Sequence, residues 1–508
     1  MRVKRSFLNL TFGIVSQILL IALGIIIPRL FLVNFGSEVN GLMASIAQIL
    51  IYLSLLEAGV GAASLQALYK PVAKDDKQSI NSILAATSSY YKKTGIYYFW
   101  TVLLIAIIYP FIIDSNLSKA TVFVVILLAG MSGAINYYFQ GKYRILLTAE
   151  GKTYVNTSII TIINILNSIV KIVLLSLHFN IIAVQASYFI ITIIQIVIFK
   201  IYIKKNYKWI DLNEKPNFEA IAQKNSALIH QVSFLIFSST DVIILTIFTD
   251  LKVVSVYVMY NLLFNMIDNI IFTVNGSITF ALGQTYHESK SKFIKLYDVY
   301  EVYFMAFIFS LFTIAYILIL PFMRLYTYGI NDINYIDFWL PILFILLKLL
   351  TNARTSGINA ITIAGHFKET QNRSILEATI NIILSLIFVQ FFGIYGVLMG
   401  TIGALLYRST DTIIYANKKI LYRSPWITIK RWLVNVGIFL MMLFVADYFN
   451  INPTSYITIV VWSVILIVIL LPVYFIICSL FEKEIYLDLK EFLKGYLDKI
   501  KGRKKLKS

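Results

Sequence analysis

Apolar stretches of about 20 residues recur from one end of this chain to the other, separated by short polar connections. In a bilayer each such run crosses the hydrocarbon as a helix, because only then does a single segment satisfy its own backbone N–H and C=O groups. Fourteen runs are legible: residues 8–33, 41–66, 95–113, 120–141, 156–178, 181–203, 226–248, 254–282, 299–321, 337–360, 375–392, 395–416, 432–449 and 456–480. Composition agrees. The 508 residues are 59% hydrophobic and 14% charged, whereas a soluble domain carries about 25% charged residues. The alternating segments of a transmembrane β-barrel are absent. The expected fold is therefore all-α, a polytopic membrane protein of about 14 transmembrane helices. The start, MRVKRSFLNLTFG, turns apolar and runs on to Phe35 without a cleavage site, so it reads as an uncleaved first span. The lone cysteine, Cys478, excludes an intrachain disulfide and reads as a buried small side chain.

Lys and Arg set the orientation, because cytoplasmic loops retain positive charge. With the N-terminus inside, 36 of the 44 basic residues fall on the inner side and three, Lys119, Lys252 and Arg324, fall outside. That asymmetry predicts an even span count with both termini cytoplasmic. The net charge of +18 is mostly this topology signal, and nothing in it calls for nucleic acid. The tail from 482 to 508 alternates apolar and charged residues at helical spacing. It suits either the inner leaflet, lysines toward anionic headgroups, or plain solvation.

The chain repeats at an offset near 214. TAEGKTYVN (148–156) resembles TIAGHFKETQN (362–372), FNIIAV (179–184) resembles FGIYGV (392–397), and Lys204–Lys205 is echoed by Lys418–Lys419. Residues 1–215 and 216–425 then form two lobes of six spans each. An even number per lobe makes the repeat parallel, an arrangement typical of transporters that alternate access to a site between the repeats. Residues 426–481 add a hairpin outside the repeat.

Among the ionisable residues within the spans are Arg29, Glu57, Lys171, Asp241, Asp268, Lys348, Arg354, Glu377, Arg408 and Asp411. Each would cost roughly 2.5–3.5 kcal/mol facing lipid at mid-span, so they should point inward. Asn261, Asn265, Asp268 and Asn275 share one helix face, as do Lys348, Asn352, Thr355 and Asn359, and Glu377, Asn381 and Ser385. Thr157, Thr161, Asn164, Ser168 and Lys171 mark another. Such stripes either line a hydrated interior or bind helices together. Arg408 and Asp411, three apart, read as a local ion pair. Arg29, Arg354 and Glu377 lie near span ends, within snorkelling reach of the interface. Asp241, Asp268, Glu57 and Lys348 are expected to face a central cavity, and His230 sits near the inner end of the seventh span. No DxD, metal-spaced His/Cys cluster or nucleotide loop is present, so the chain reads as a non-enzyme without cofactor.

PRLFLVNFGSEVNGLMASIAQILIYLSLLEAGVGAAS (28–64) resembles the first two spans of the Wzx-type polysaccharide flippases, through Arg29-Leu30, Glu38, Gly41-Leu42 and Glu57-Ala58-Gly59. TDVIILTIFTDLKVVSVYVMYNLLF (240–264) resembles the element opening their second lobe. Asp241 stands at its acidic position, and Val256 stands where glycine is common. The resemblance spans roughly residues 5–425. It implies the multidrug/oligosaccharidyl-lipid/polysaccharide exporter fold, two six-helix lobes around a central cavity. It also implies a lipid-linked oligosaccharide as substrate, flipped across a bacterial plasma membrane, with membrane lipids and polysaccharide polymerases or glycosyltransferases as partners. Arg29, Glu57, Asp241, Asp268, Lys348 and Arg354 become the candidate cavity residues, with Asp241 and Asp268 the candidates for coupling. Twelve spans are usual in polysaccharide flippases, and fourteen is closer to the lipid II flippases. The competing readings are an ion-coupled multidrug exporter, a membrane glycosyltransferase and a non-transporting scaffold.

The orientation is directly testable. An enzyme reporter active only outside the cytoplasm should be active when fused after Lys119 and silent when fused after Lys205. The reverse pattern would invert the topology.

Overall fold

A computed structural model describes residues 2–57, 60–221, 235, 239–449, 451–492 and 494, with side chains from residue 23 onward except at 62, 277, 280, 287, 353, 367 and 368. Among them the regular structure is helical throughout: α1 (Arg2–Leu53), α2 (Val60–Lys74), α3 (Lys77–Ile112), α4 (Lys119–Ala149), α5 (Thr153–Ser176), α6 (Ile181–Asn206), α7 (Ser239–Phe248), α8 (Leu251–Glu288), α9 (Lys290–Tyr326), α10 (Trp339–Ala353), α11 (Thr355–Ile363), α12 (Phe367–Tyr415), α13 (Trp426–Tyr448) and α14 (Tyr456–Phe481). Ten helices among the described residues are long and apolar enough to cross a membrane.

Two of those ten are too long for one crossing. α1 has 52 residues and α12 has 49. At 1.5 Å per residue each would run more than about 70 Å, over twice the roughly 30 Å hydrocarbon thickness. Each is interrupted by a glycine that leaves helical geometry, Gly36 at φ 77° and Gly393 at φ 53°. At Gly393 the chain folds back on itself. Asn381 donates to the Thr401 hydroxyl at 2.8 Å, and a Cβ at Gly396 or Gly400 would overlap the backbone of Phe388 or the side chain of Ser385. The short α7 and the pair α10 and α11 lie in two further apolar runs read from the sequence. The first half of the seventh run, with His230, lies outside the described residues.

Three spans differ from their sequence reading. The second is broken: α1 ends at Leu53, a 3₁₀ turn covers Ser54–Leu56, and Glu57 closes it before α2 begins. Hydroxyls there take up freed carbonyls, Ser54 bonding Ile51 O at 2.6 Å and Thr94 bonding Leu56 O at 3.4 Å. The tenth breaks at Arg354. The fourth runs on to Ala149, which carries Arg144 from an expected cytoplasmic loop into a helix.

The 214-residue offset reappears in the backbone. Gly151 and Gly365, 214 positions apart, both adopt left-handed backbone, at φ 69° and 75°. His178 (φ 56°) and Gly393 (φ 53°), 215 apart, close corresponding turns. Asp76 and Ser289 cap α3 and α9 by accepting from the N–H three residues on. The exposed Asp76 carboxyl is held below the usual carboxylate range chiefly by the Ser79 hydroxyl and then by its N–H.

The chain divides into two compact units. One comprises residues 1–258 with 329–333, the other 259–328 with 334–508. In the first, α3 and α4 run antiparallel and pack through small residues. Gly95 abuts Tyr138, Gly130 abuts Val102, Gly133 abuts Tyr98 and Gly141 abuts Tyr91. This close approach is how helices associate where hydrocarbon offers no hydrophobic drive. Gly41 lets the second half of α1 lie against the backbone of Leu251, where any Cβ would overlap the carbonyl. The seam continues through polar pairs: Asn40 to Ser255 at 2.7 Å, Thr246 to Ser45 at 2.9 Å, and Tyr52 with Thr240 at 2.6 Å. At the turn before it, Asp332 accepts from both the N–H and the hydroxyl of Ser37, at 2.8 and 2.6 Å.

In the second unit, α13 and α14 pack on α9. Asp298 and Glu301 of α9 meet Arg423 and Arg431 from the start of the hairpin, and Arg431 also reaches Glu482 at 3.6 Å. Thr428 adds a hydrogen bond to Glu301 at 3.0 Å.

The α12 hairpin sets one expectation. Gly400→Val must push the two arms apart at Ser385, and overpacking of this kind costs about 1–3 kcal/mol. A lowered thermal unfolding midpoint of the purified variant would register it, while Gly276→Ala, where a Cβ meets nothing within 4 Å, should leave the midpoint in place.

Candidate functional site

Charges buried in helices that face lipid are the residues most in need of an explanation, and the structure gathers them into separate clusters. The first lies within the first unit. Glu57, held at the break after α1, accepts hydrogen bonds from the hydroxyls of Tyr91 and Tyr137. Arg144 attracts the same carboxylate and donates to Gln140 at 2.8 Å and to Asn136 at 3.5 Å. Asn136, Gln140 and Arg144 recur every four residues, on one face of α4. Tyr91, Tyr137 and Tyr98 form a ladder of rings with centroids 6.4 and 5.4 Å apart. Glu57, Tyr91, Tyr98, Asn136, Tyr137 and Arg144 line a partly open cavity of about 320 Å³.

The second cluster joins α8 and α10. Lys348 donates to Asp268 and to Asn265, both at 2.7 Å, and Asn352 donates to the other oxygen of Asp268 at 2.6 Å. Further along, Asn359 bonds Asn275 at 2.7 Å and the Tyr300 hydroxyl at 2.8 Å. The two polar stripes read from the sequence therefore face each other and form a continuous seam. The stripe on the eleventh span does the same work locally, through Asn381 and Ser385 inside the hairpin.

The third is an arginine-rich network. Arg354 meets Glu377 at 2.7 Å, Arg408 meets the other Glu377 oxygen at 3.3 Å, and Arg408 also pairs with Asp411 at 3.0 Å. Arg373 completes it on Asp411. The expected Arg408–Asp411 pair is present, as part of a larger set of three guanidiniums and two carboxylates.

The sequence candidates thus separate. Asp268 and Lys348 come together. Glu57 is held by tyrosines and Arg144, and Arg354 by Glu377. Asp241, buried on α7, accepts from Tyr257 at 2.9 Å within the first unit. Arg29 is half-buried on α1 just after Pro28. Sequence reasoning missed Arg144, Asn136, Tyr91 and Tyr137. The four-residue periodicity running from Asn136 through Gln140 to Arg144 was the available signal, hidden by ending the fourth span at 141.

Pairing makes a specific prediction for the α8–α10 seam. Lys348→Met leaves Asp268 without its cation and should cost about 3–5 kcal/mol. The double variant Lys348→Met/Asp268→Leu should recover most of that loss, as read by thermal unfolding of the purified proteins. Equal destabilisation of single and double variants would refute the pairing.

No family model and no curated protein sequence matches the chain. Solved structures do. The lipid II flippase MurJ in an inward closed conformation superposes with a TM-score of 0.70 at 17% identity, covering 94% of this chain and all of its own. A multidrug resistance MATE family transporter of the MOP superfamily, inward-facing, gives 0.67 at 15% identity over 79% of this chain and 95% of its own. A MOP superfamily transporter from Pyrococcus furiosus gives 0.57 at 15% identity over 82% and 95%. The chain is thus a multi-pass membrane protein with the fold of the MOP-superfamily transporters.

Proposed function

We propose that this protein flips a lipid-linked oligosaccharide, carried on a polyprenyl diphosphate, from the inner to the outer leaflet of a bacterial plasma membrane. One observation carries the reading: the breadth of the match to the flippase. MurJ covers 94% of the chain, against 79% for the MATE transporter. With two lobes ending at residue 425, the hairpin α13–α14 is an addition that brings the chain closer to the lipid II flippases than to a twelve-span exporter. The ion network from Asp298 and Glu301 to Arg423 and Arg431 anchors that hairpin as an integral part of the second unit.

The chemistry suits the cargo. A sugar headgroup bearing many hydroxyls cannot enter hydrocarbon without leaving polar groups unpaired. The amides, phenols and charges gathered within each unit are groups of the kind that could supply such partners. With both termini in the cytoplasm, as the Lys/Arg asymmetry predicts, the substrate would be loaded where its sugars are assembled. Alternating access would then expose the headgroup outside.

Depletion tests this. Cells lacking the protein should accumulate lipid-linked oligosaccharide that an impermeant sugar-modifying reagent labels in opened vesicles but not on intact cells. Unchanged sidedness would remove the polysaccharide reading and turn attention to drug efflux.

A further inference from the structure

The cavity at Glu57 is chemically distinct from the other charged clusters. The α8–α10 seam and the arginine network close their charges on one another, whereas here space remains between the charges. Arg144 lines that space together with Glu57 and Asn136. The walls are cleared on purpose. A Cβ at Gly133 would lie 2.6 Å from the Tyr98 hydroxyl, and one at Gly141 would overlap the ring of Tyr91. Both glycines therefore let a tyrosine lie flat along the cavity.

Four properties narrow the ligand. The volume, about 320 Å³, is near the roughly 300 Å³ lower limit of small-molecule sites, too small for an oligosaccharide. One carboxylate and one guanidinium balance, which favours a neutral ligand over a net ion. Stacked phenol rings offer flat apolar faces with polar edges. Glu57 accepts, Arg144 donates, and the Asn136 amide does both, so neighbouring groups that are each donor and acceptor are matched on every side. A pyranose ring has this character, with C–H groups on its face and hydroxyls around its edge.

We propose that the cavity within the first unit, between Glu57, Arg144, Asn136 and the tyrosine ladder, is a binding subsite for a single neutral sugar. This rests on the flippase reading for its place in transport: the subsite would grip one residue of the cargo's headgroup. Charge-assisted hydrogen bonds from the sugar's hydroxyls to Glu57 and from Arg144 to its oxygens would hold the ring against Tyr137.

Binding can be measured apart from transport. Full-length protein in lipid nanodiscs would be titrated by saturation-transfer NMR with glucose, galactose, N-acetylglucosamine, N-acetylgalactosamine and rhamnose, one at a time. At least one should show transfer. Its affinity should fall fivefold or more in Glu57→Gln, which keeps the shape, and in Asn136→Leu, which fills the space. Tyr316→Phe, in the second unit, should bind as the unsubstituted protein does. Absence of transfer from all five sugars, or equal transfer in both cavity variants, overturns the subsite, and so does an occupant that proves to be only water or a proton. Sugar binding with unchanged oligosaccharide sidedness in depleted cells would keep the subsite and refute the flippase, while normal flipping by a protein that binds no sugar would do the opposite.

Discussion

A charge in hydrocarbon must be neutralised by another charge or solvated by polar groups, and this requirement organises the chain. Its backbone is satisfied by helix formation alone, but helix formation does not decide which helices touch. Buried ionic pairs do. Asp268 with Lys348 fixes α8 against α10, Glu377 with Arg354 and Arg408 gathers the tenth to twelfth crossings, and Asp298 and Glu301 hold the last hairpin. Small residues let the helices approach closely enough for those pairs to form, as Gly41 does against Leu251. Asp241 is solvated by a polar group, accepting from the Tyr257 hydroxyl.

Within the first unit one carboxylate is treated differently. Glu57 sits where a helix is interrupted, and its partners are hydroxyls and a guanidinium arranged around space. A break in a membrane helix is tolerated where it faces a polar cavity, because the freed backbone groups then have partners. The 3₁₀ turn at Ser54–Leu56 and the cavity beside it are thus two aspects of one local solution. Arg354 marks a second interruption, and there the guanidinium is closed onto Glu377.

How much of this was legible in the sequence depends on period. Spans are long and uniform, so hydropathy located them, and the glycines at 36 and 393 separate crossings already distinguishable as two apolar runs. The polar stripes at Asn265–Asp268–Asn275 and Lys348–Asn352–Asn359 were visible because helical spacing repeats. That the two stripes face each other was not, because the sequence carries no information on which helix is the neighbour. Arg144 was lost to a boundary error of a few residues, since basic residues near a span end look like topology signal. The tyrosines of α3 were invisible for a different reason: in a chain with 33 tyrosines, none stands out without a partner.

The order of synthesis gives the ion network at the base of the last hairpin a further meaning. Asp298 and Glu301 leave the ribosome more than a hundred residues ahead of Arg423 and Arg431. Until the final two helices are made, both acids lack these arginine partners. A nascent chain stalled or cut short before residue 423 carries both carboxylates of α9 without those arginines, so this network is among the last contacts the chain can close.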